Sequence, residues 1–247
     1  MVAGMSGLHS RAPVWIDPDT AQVTFPDVEL AMREPDGLLA VGANLSVSTL
    51  LTAYRSGIFP WYGPGQPVMW WAPNPRLVLF PDELRVARSL ARTLRQGKFS
   101  VTLDSSFQAV VEACAAPRRS QSGTWITPQM VAAYSDLHAA GHAHSAECWQ
   151  HGALVGGLYG VAIGRVFFGE SMFARVNDAS KVAFVTLVRQ LQRWGFQLID
   201  CQVYTPHLAS LGARSIARPE FTRLLEHGCS DGAPQSPWTL DPESGPA

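Results

Sequence analysis

Val166-Phe-Phe168, Asp178 through Trp194-Gly195, and Phe196-Gln-Leu-Ile-Asp-Cys-Gln-Val203 are the runs whose order sets the fold. The first and last are short, strongly apolar stretches that read as strands. Between them Asp178 stands at a helix N-cap, and Trp194-Gly195 ends a long helical pattern. A strand, helix and strand of this length close as a right-handed crossover between parallel strands. Gly169-Glu170-Ser171-Met172-Phe173 after the first strand and Asp200-Cys201-Gln202 at the end of the second are therefore expected at one carboxyl edge, where ligands of such sheets gather.

Working back from this unit, 143–149 and 153–162 are strand-like runs, with turns at Gln150-His-Gly152 and around Gly164. Thr127-Pro128 opens a helix that Gly141 closes. A helix is predicted from Pro81-Asp82 to Gly97, then a strand at Phe99–Leu103 and a helix to about Ala115. Two short helices follow residue 203, the second opened by Pro219. Upstream, Ser46 caps a helix whose apolar stripe is Val47, Leu50, Leu51 and Tyr54, stopped by Gly57. Pro73-Asn-Pro75 cannot be helix, and a domain boundary is placed there. The reading is an α+β fold: a small N-terminal domain at 1–74, a mixed-sheet domain at 75–229, and a Gly/Ser/Pro/Asp-rich tail at 230–247 expected to be loose, like the first ten residues.

The 247 residues are 47% hydrophobic and 16% charged, enough for a sizeable core. The formal net charge is −1, so any nucleic-acid contact must rest on a local basic patch. Cys114, Cys148, Cys201 and Cys229 form no CxxC pair and read as reduced thiols of a cytoplasmic protein. No apolar run approaches the roughly 18 residues of a membrane span, and no membrane partner is expected.

Strand period puts Asp200 and Gln202 on one face and Cys201 on the other. A carboxylate and an amide on an apolar strand are costly to bury unless paired. Together with Glu170 they can orient an incoming amine. The residues alone leave a second reading open, in which Asp200 caps a turn and Glu170 sits at the surface. His142-x-His144 has no Cys or carboxylate at metal-ligand spacing and reads as structural. Gly156-Gly157, Gly160 and Gly164 match no nucleotide-binding motif and read as close packing within a strand. No metal or cofactor is expected, and without an ATP motif a transferred group must arrive activated.

Arg85, Arg88, Arg92 and Arg95 fall at spacings that stack them on one side of a helix over 83–96, opposite Leu84, Ala87, Leu90, Ala91 and Leu94. A solvated face and a phosphate-tracking face both fit. Trp61 and Trp125 stand in turn-flanked segments, either as core residues or as platforms for a stacked base.

Collinear motifs now add up: Arg33-Glu-Pro-Asp-Gly-Leu-Leu39, Gly57-Ile-Phe-Pro-Trp61, Trp70-Trp-x-Pro-x-Pro-Arg76, Gly123-Thr-Trp-Ile-Thr127, Gly141-His-Ala-His-Ser145, Leu154-Val-Gly-Gly157, Gly169-Glu-Ser-Met-Phe173, Ala179-Ser-Lys181, Ile199-Asp-Cys-Gln202 and Ser210-Leu-Gly-Ala213. Over residues 33 to 225 the chain resembles the leucyl/phenylalanyl-tRNA–protein transferases. The resemblance implies an acetyltransferase-like (GNAT-type) second domain. It also implies transfer of Leu, Phe or, less efficiently, Met from aminoacyl-tRNA to proteins beginning with Arg or Lys, which are thereby marked for degradation.

Matched position by position, the resemblance makes Asp200 and Gln202 the catalytic pair and Glu170 an acidic residue of the site. Trp61 and Trp125 would hold the terminal adenosine. Tyr134, Leu158, Phe167, Met172, Phe184, Leu187, Leu191 and Ile199 would line the aminoacyl pocket. The arginine helix falls in the tRNA-binding region. Leu158 stands where Met is expected, Ala174 where Ser is common, and Asp178 replaces an Asn, still as a helix cap. In the expected chemistry Gln202 accepts a hydrogen bond from the attacking amine, and Asp200 polarises and orients Gln202. A CoA-dependent N-acetyltransferase is the alternative, but no pyrophosphate loop is visible near 169–181. A non-catalytic tRNA-binding module would leave the apolar pocket unexplained. A monomer is expected.

Overall fold

Residues 12–117, 124–230, 232, 234 and 236–242 are described by a computed structural model. The expected looseness of the first ten residues, and Gly123 of the Trp125 motif, lie outside them. The N-terminal part comprises β1 (Val14–Ile16), β2 (Leu38–Gly42), α1 (Val47–Arg55), β3 (Phe59–Pro60) and β4 (Met69–Trp71). Its strands form one sheet in the order β1-β2-β4-β3. Ser46 caps α1 as read, its hydroxyl accepting from the Thr49 N–H.

The remaining elements are β5 (Arg76–Leu79), α2 (Arg88–Arg95), β6 (Ser100–Leu103), α3 (Phe107–Ala115), α4 (Pro128–Ala139), β7 (Ala143–Gln150), β8 (Ala153–Ile163), β9 (Val166–Ala174), α5 (Ala179–Arg193), β10 (Leu198–Gln202), α6 (Pro206–Ser210), β11 (Arg214–Ile216) and α7 (Arg218–Gly228). They build a seven-stranded mixed sheet, β11-β5-β10-β9-β8-β7-β6. The predicted crossover is present: β9 and β10 are parallel neighbours joined by α5.

Alternation along the strands sorts the core into two layers. Phe168 and Tyr159 face α1, α3 and α4 beside Leu50, Tyr54, Phe107 and Tyr134, while Phe167 and Leu158 face α5 beside Phe184 and Leu191. Each such large apolar side chain contributes about 2 kcal/mol by its burial. The first layer also contains Trp70 and Leu39 of the small sheet, so the two sheets share one core. The strand glycines serve close packing, as read: a Cβ on Gly156 would lie 2.6 Å from that of Ala179, at the start of α5.

Four expectations are corrected. The predicted 83–96 helix is a 3-10 turn over Pro81–Glu83, an extended stretch, and then α2 from Arg88. A tertiary bond outcompetes the helix there, since the Arg85 N–H donates to the Leu211 carbonyl at 2.9 Å. Arg85 thus stands off the helix, while Arg88, Arg92 and Arg95 remain exposed along one α2 face. Asp178 occupies the N-cap position in a left-handed conformation (φ 65°), and its carboxylate makes no capping hydrogen bond to the helix backbone. It binds Lys181 Nζ at 3.0 Å and Thr93 at 3.3 Å instead.

Among the described residues of the tail, Trp238 and its neighbours also depart from what their composition suggests. Trp238 is 1% exposed, stacks on His144 at 3.6 Å, and donates its main-chain N–H to Asp104. Finally, β9 does not stop at Phe168 but runs to Ala174, which puts Glu170 inside a strand.

Candidate active site

The length of β9 creates the site. Its pairing with β10 covers only Val166, Phe167 and Phe168, opposite Leu198, Ile199 and Asp200. Beyond that, β9 stays with β8 as far as Ala174 while β10 follows β5. The two strands part, and a cavity of about 390 Å³ opens between residues 169–172 and 199–203.

Each wall carries a β-bulge at the parting. On β9, Ser171 pairs with Tyr159 and Gly169 with Gly160, leaving Glu170 as the extra residue. On β10, Asp200 pairs with Val78 and Gln202 with Leu77, leaving Cys201 extra. A bulge re-aims the side chains beside it. Gln202 follows with φ +62°, a left-handed conformation uncommon outside glycine.

Glu170 is buried and fully engaged. Oε1 accepts from the Tyr54 hydroxyl at 2.7 Å and from Gln202 Nε2 at 2.9 Å, and Oε2 accepts from the Tyr134 hydroxyl at 2.6 Å. Burial pushes its carboxyl up to about 7 against the lowering effect of the two hydroxyls, with Asp200 adding a further rise and Arg76 a further lowering. Burial and the negative charge of Glu170 raise both tyrosines well above their usual range, so their hydroxyls stay protonated.

Asp200 is wholly buried against Arg76, whose Nε and Nη2 reach its two oxygens at 2.8 and 2.6 Å. Its Oδ1 also accepts the main-chain N–H of Gln202 at 2.8 Å. Asp200 thus orients Gln202 through the backbone, and the Gln202 amide is tied to Glu170 rather than to Asp200. With its Nε2 donating to Glu170, the amide presents Oε1 as an acceptor.

Of the expected pocket residues, Leu158, Met172, Phe184 and Ile199 line the cavity. Phe167, Leu187 and Leu191 do not; they lie deeper in the α5 layer. Leu191 sits two helical turns from Phe184, about 10 Å along α5. Tyr134 stands behind Glu170 and meets it by hydrogen bond. Trp61, 45% exposed, and Trp125 both line the cavity as well. His144, half of the rejected metal spacing, is buried with its Nδ1 2.7 Å from Asp104. Tyr54 and Arg76 are site residues that sequence reasoning passed over. Tyr54 looked like one more member of an apolar stripe, and Arg76 like the end of a Pro-rich turn.

An apolar cavity rimmed by a carboxyl, an amide and two indoles suits an apolar acyl group presented to an amine. The profile of the leucyl/phenylalanyl-tRNA protein transferases matches residues 78–226, and that of their N-terminal domain residues 43–74.

This chain belongs to that family.

The leucyl/phenylalanyl-tRNA–protein transferase of Chromohalobacter salexigens is 59% identical over 223 residues, covering 90% of this chain and 87% of its own. That of Nitrosospira multiformis is 55% identical over 229 residues, 93% of this chain and 97% of its own. That of Azotobacter vinelandii is 60% identical over 205 residues, 83% of this chain and 91% of its own. Such a family is one of aminoacyltransferase enzymes. Among solved structures, L-PGS from Bacillus licheniformis aligns at 10% identity with a TM-score of 0.38, covering 65% of this chain and 54% of its own. A GCN5-related N-acetyltransferase from Kribbella flavida aligns at 14% and 0.34, covering 68% and 60%. Among the described residues no helix is long and apolar enough to cross a membrane.

Proposed function

We propose that this chain transfers Leu, Phe and, less efficiently, Met from aminoacyl-tRNA to the α-amino group of proteins beginning with Arg or Lys, marking them for degradation. The observation that carries the reading is the parting of β9 and β10, which opens one cavity lined by Leu158, Met172, Phe184 and Ile199 and by the Glu170–Gln202 pair. The aminoacyl side chain lies on the apolar floor, the ester carbonyl faces Gln202, and Trp61 and Trp125 stack on the terminal adenosine.

An ester reacting with an amine to give an amide runs downhill. The protein must therefore select the acyl group, hold the amine near the carbonyl and manage protons. Gln202 Oε1 accepts a hydrogen bond from the attacking amine. Asp200, already saturated by Arg76 and a main-chain N–H, holds the shape of the bulge rather than moving a proton. Arg88, Arg92 and Arg95, with Arg85 beside them, track the tRNA backbone. Residues 1–74 supply Trp61 and Tyr54, residues 75–229 carry the rest of the site, and the protein works as a cytoplasmic monomer.

The test mixes the protein with tRNA charged with labelled Phe and a peptide beginning with Arg, and in parallel offers labelled acetyl-CoA. Label entering the peptide from the tRNA is expected. Label entering from acetyl-CoA alone would replace this reading by an N-acetyltransferase, and binding of tRNA with no transfer by a binding module.

A further inference from the structure

Three side chains close a ring of oxygen contacts behind the cavity. The Tyr54 and Tyr134 hydroxyls are 2.7 Å apart, Tyr54 is 2.7 Å from Glu170 Oε1, and Tyr134 is 2.6 Å from Glu170 Oε2. The three residues come from α1, α4 and the β9 bulge. Three short oxygen–oxygen contacts need three protons between them. The two phenols supply two, and an ionised carboxylate supplies none. With Glu170 ionised, one contact would set lone pair against lone pair in a buried site. With Glu170 neutral, the ring closes: Glu170 Oε2–H donates to Tyr134, Tyr134 to Tyr54, and Tyr54 to Oε1, which still accepts Gln202 Nε2.

We propose that Tyr54 and Tyr134 are positioning residues that hold Glu170 in a ring of two or three protons, and that Glu170 gains the third from the acceptor's α-ammonium group. The inference rests on the aminoacyl-transfer reading above. The balance is simple. R–NH3+ gives one proton to the Glu170 carboxylate, leaving R–NH2 and a neutral carboxylic acid. The amine attacks the ester carbonyl, a C–N bond forms, the C–O bond to the tRNA 3′ end breaks, and that oxygen leaves with the amine's second proton. Glu170 then returns its proton to solvent.

The groups facing Glu170 suit this exchange. Burial raises its proton affinity most, Tyr134 and Tyr54 lower it, Asp200 of β10 raises it, and Arg76 of β5 lowers it. Tyr159 of β8 also feels its charge, and Gln202 bonds it directly. The result, about 7, stands close to the roughly 7.7–8.0 of a free α-amino group, so moving the proton between them costs little free energy.

Two measurements test it. Single-turnover transfer of Phe to an Arg-initiated peptide is followed against pH for the wild type, Tyr54→Phe, Tyr134→Phe and Glu170→Gln. The wild type should show an acidic limb near pH 7. Each phenylalanine variant breaks the ring, so its limb should leave the wild-type position by about one unit. Glu170→Gln should lose the limb and at least about 100-fold in rate. Limbs unmoved in both phenylalanine variants would overturn the ring. Independently of activity, pH-difference infrared spectra should show a protonated-carboxyl band in the wild type that Glu170→Gln lacks. Absence of that band also overturns the proposal. A band present in a wild type that transfers no Phe would instead overturn the functional reading.

Discussion

Arg76 grips Asp200 with two hydrogen bonds, of 2.8 and 2.6 Å, in a place where neither side chain is more than 1% exposed. The guanidinium also lies over the rings of Phe59 and Phe221, 4.6 and 4.8 Å from their centroids. This pair fastens β5 to β10 at the level where β10 leaves β9. Arg76→Met would leave a buried carboxylate alone, a loss of about 3–5 kcal/mol. Urea unfolding should show it as a lower midpoint at unchanged slope. Adding Asp200→Leu should restore much of the stability while transfer stays impaired. A single variant as stable as the wild type would remove the pair from the fold's supports.

Gln202 combines a left-handed backbone with the amide that meets Glu170. Backbone and side chain can be separated with two substitutions. Gln202→Gly and Gln202→Ala both lose the amide, so turnover should fall by roughly 100-fold in each, with tRNA affinity little changed. Glycine accepts the positive φ, whereas alanine is strained there, so the alanine variant should be less stable by about 1 kcal/mol. Thermal unfolding and single-turnover rates read the two effects apart. Wild-type turnover in either variant would exclude the amide from the chemistry.

How much of this was legible in the sequence follows from the range of the forces involved. The crossover at 166–203, the Ser46 and Thr127 caps and the turn at Gly164 are local, and their residues announce them. The bulge at Glu170 is not local, because Gly169-Glu170-Ser171 becomes a bulge only through its register with Tyr159 and Gly160. Tyr54 and Arg76 reach their partners across 116 and 124 residues, and each has a bland local reading as stripe or turn. The break before α2 is of the same kind, since the Arg85–Leu211 bond is invisible to helix periodicity. In the tail, Trp238 was the signal to weigh, because one large indole in a polar stretch still seeks a core. Naming Glu170, Asp200 and Gln202 together needed the family resemblance, since strand period alone left them explicable as structural.

The cavity floor separates residues that shape selectivity from residues that only support it. Leu158 lines the cavity, whereas Leu191 is fully buried and does not. Leu158→Ala should enlarge the floor and shift the Phe-over-Leu ratio of kcat/KM upward by about tenfold. Leu191→Ala should cost about 2–5 kcal/mol of stability yet leave that ratio near the wild-type value. Competition between the two charged tRNAs measures the first, and urea unfolding the second. A ratio that follows Leu191 instead would restore the deeper residues to the pocket.

On α2, the spacing of Arg88, Arg92 and Arg95 survives although the helix is shorter than its sequence pattern. Arg88→Glu with Arg92→Glu should weaken tRNA binding and flatten the plot of log affinity against log salt by about two. Phe184 and the rest of the cavity are untouched, so the maximal transfer rate at saturating tRNA should change little. Binding unchanged from low to high salt would place the tRNA on another face.

Glu170 also makes a claim on stability. Its folded-state carboxyl titrates at about 7, against an ordinary 4.5. Between these values the native protein binds the proton more tightly than the unfolded chain does, so stability is greatest below pH 4.5 as far as this group is concerned. It falls as pH rises toward 7, by about 3 kcal/mol in all. Glu170→Gln has nothing to ionise and should lose this dependence. Its unfolding free energy should therefore gain on the wild type between pH 5 and pH 8, whatever the offset between them at low pH. Parallel pH–stability curves from urea unfolding would mean that Glu170 enters the native state already ionised, and the neutral ring with Tyr54 and Tyr134 would go with it.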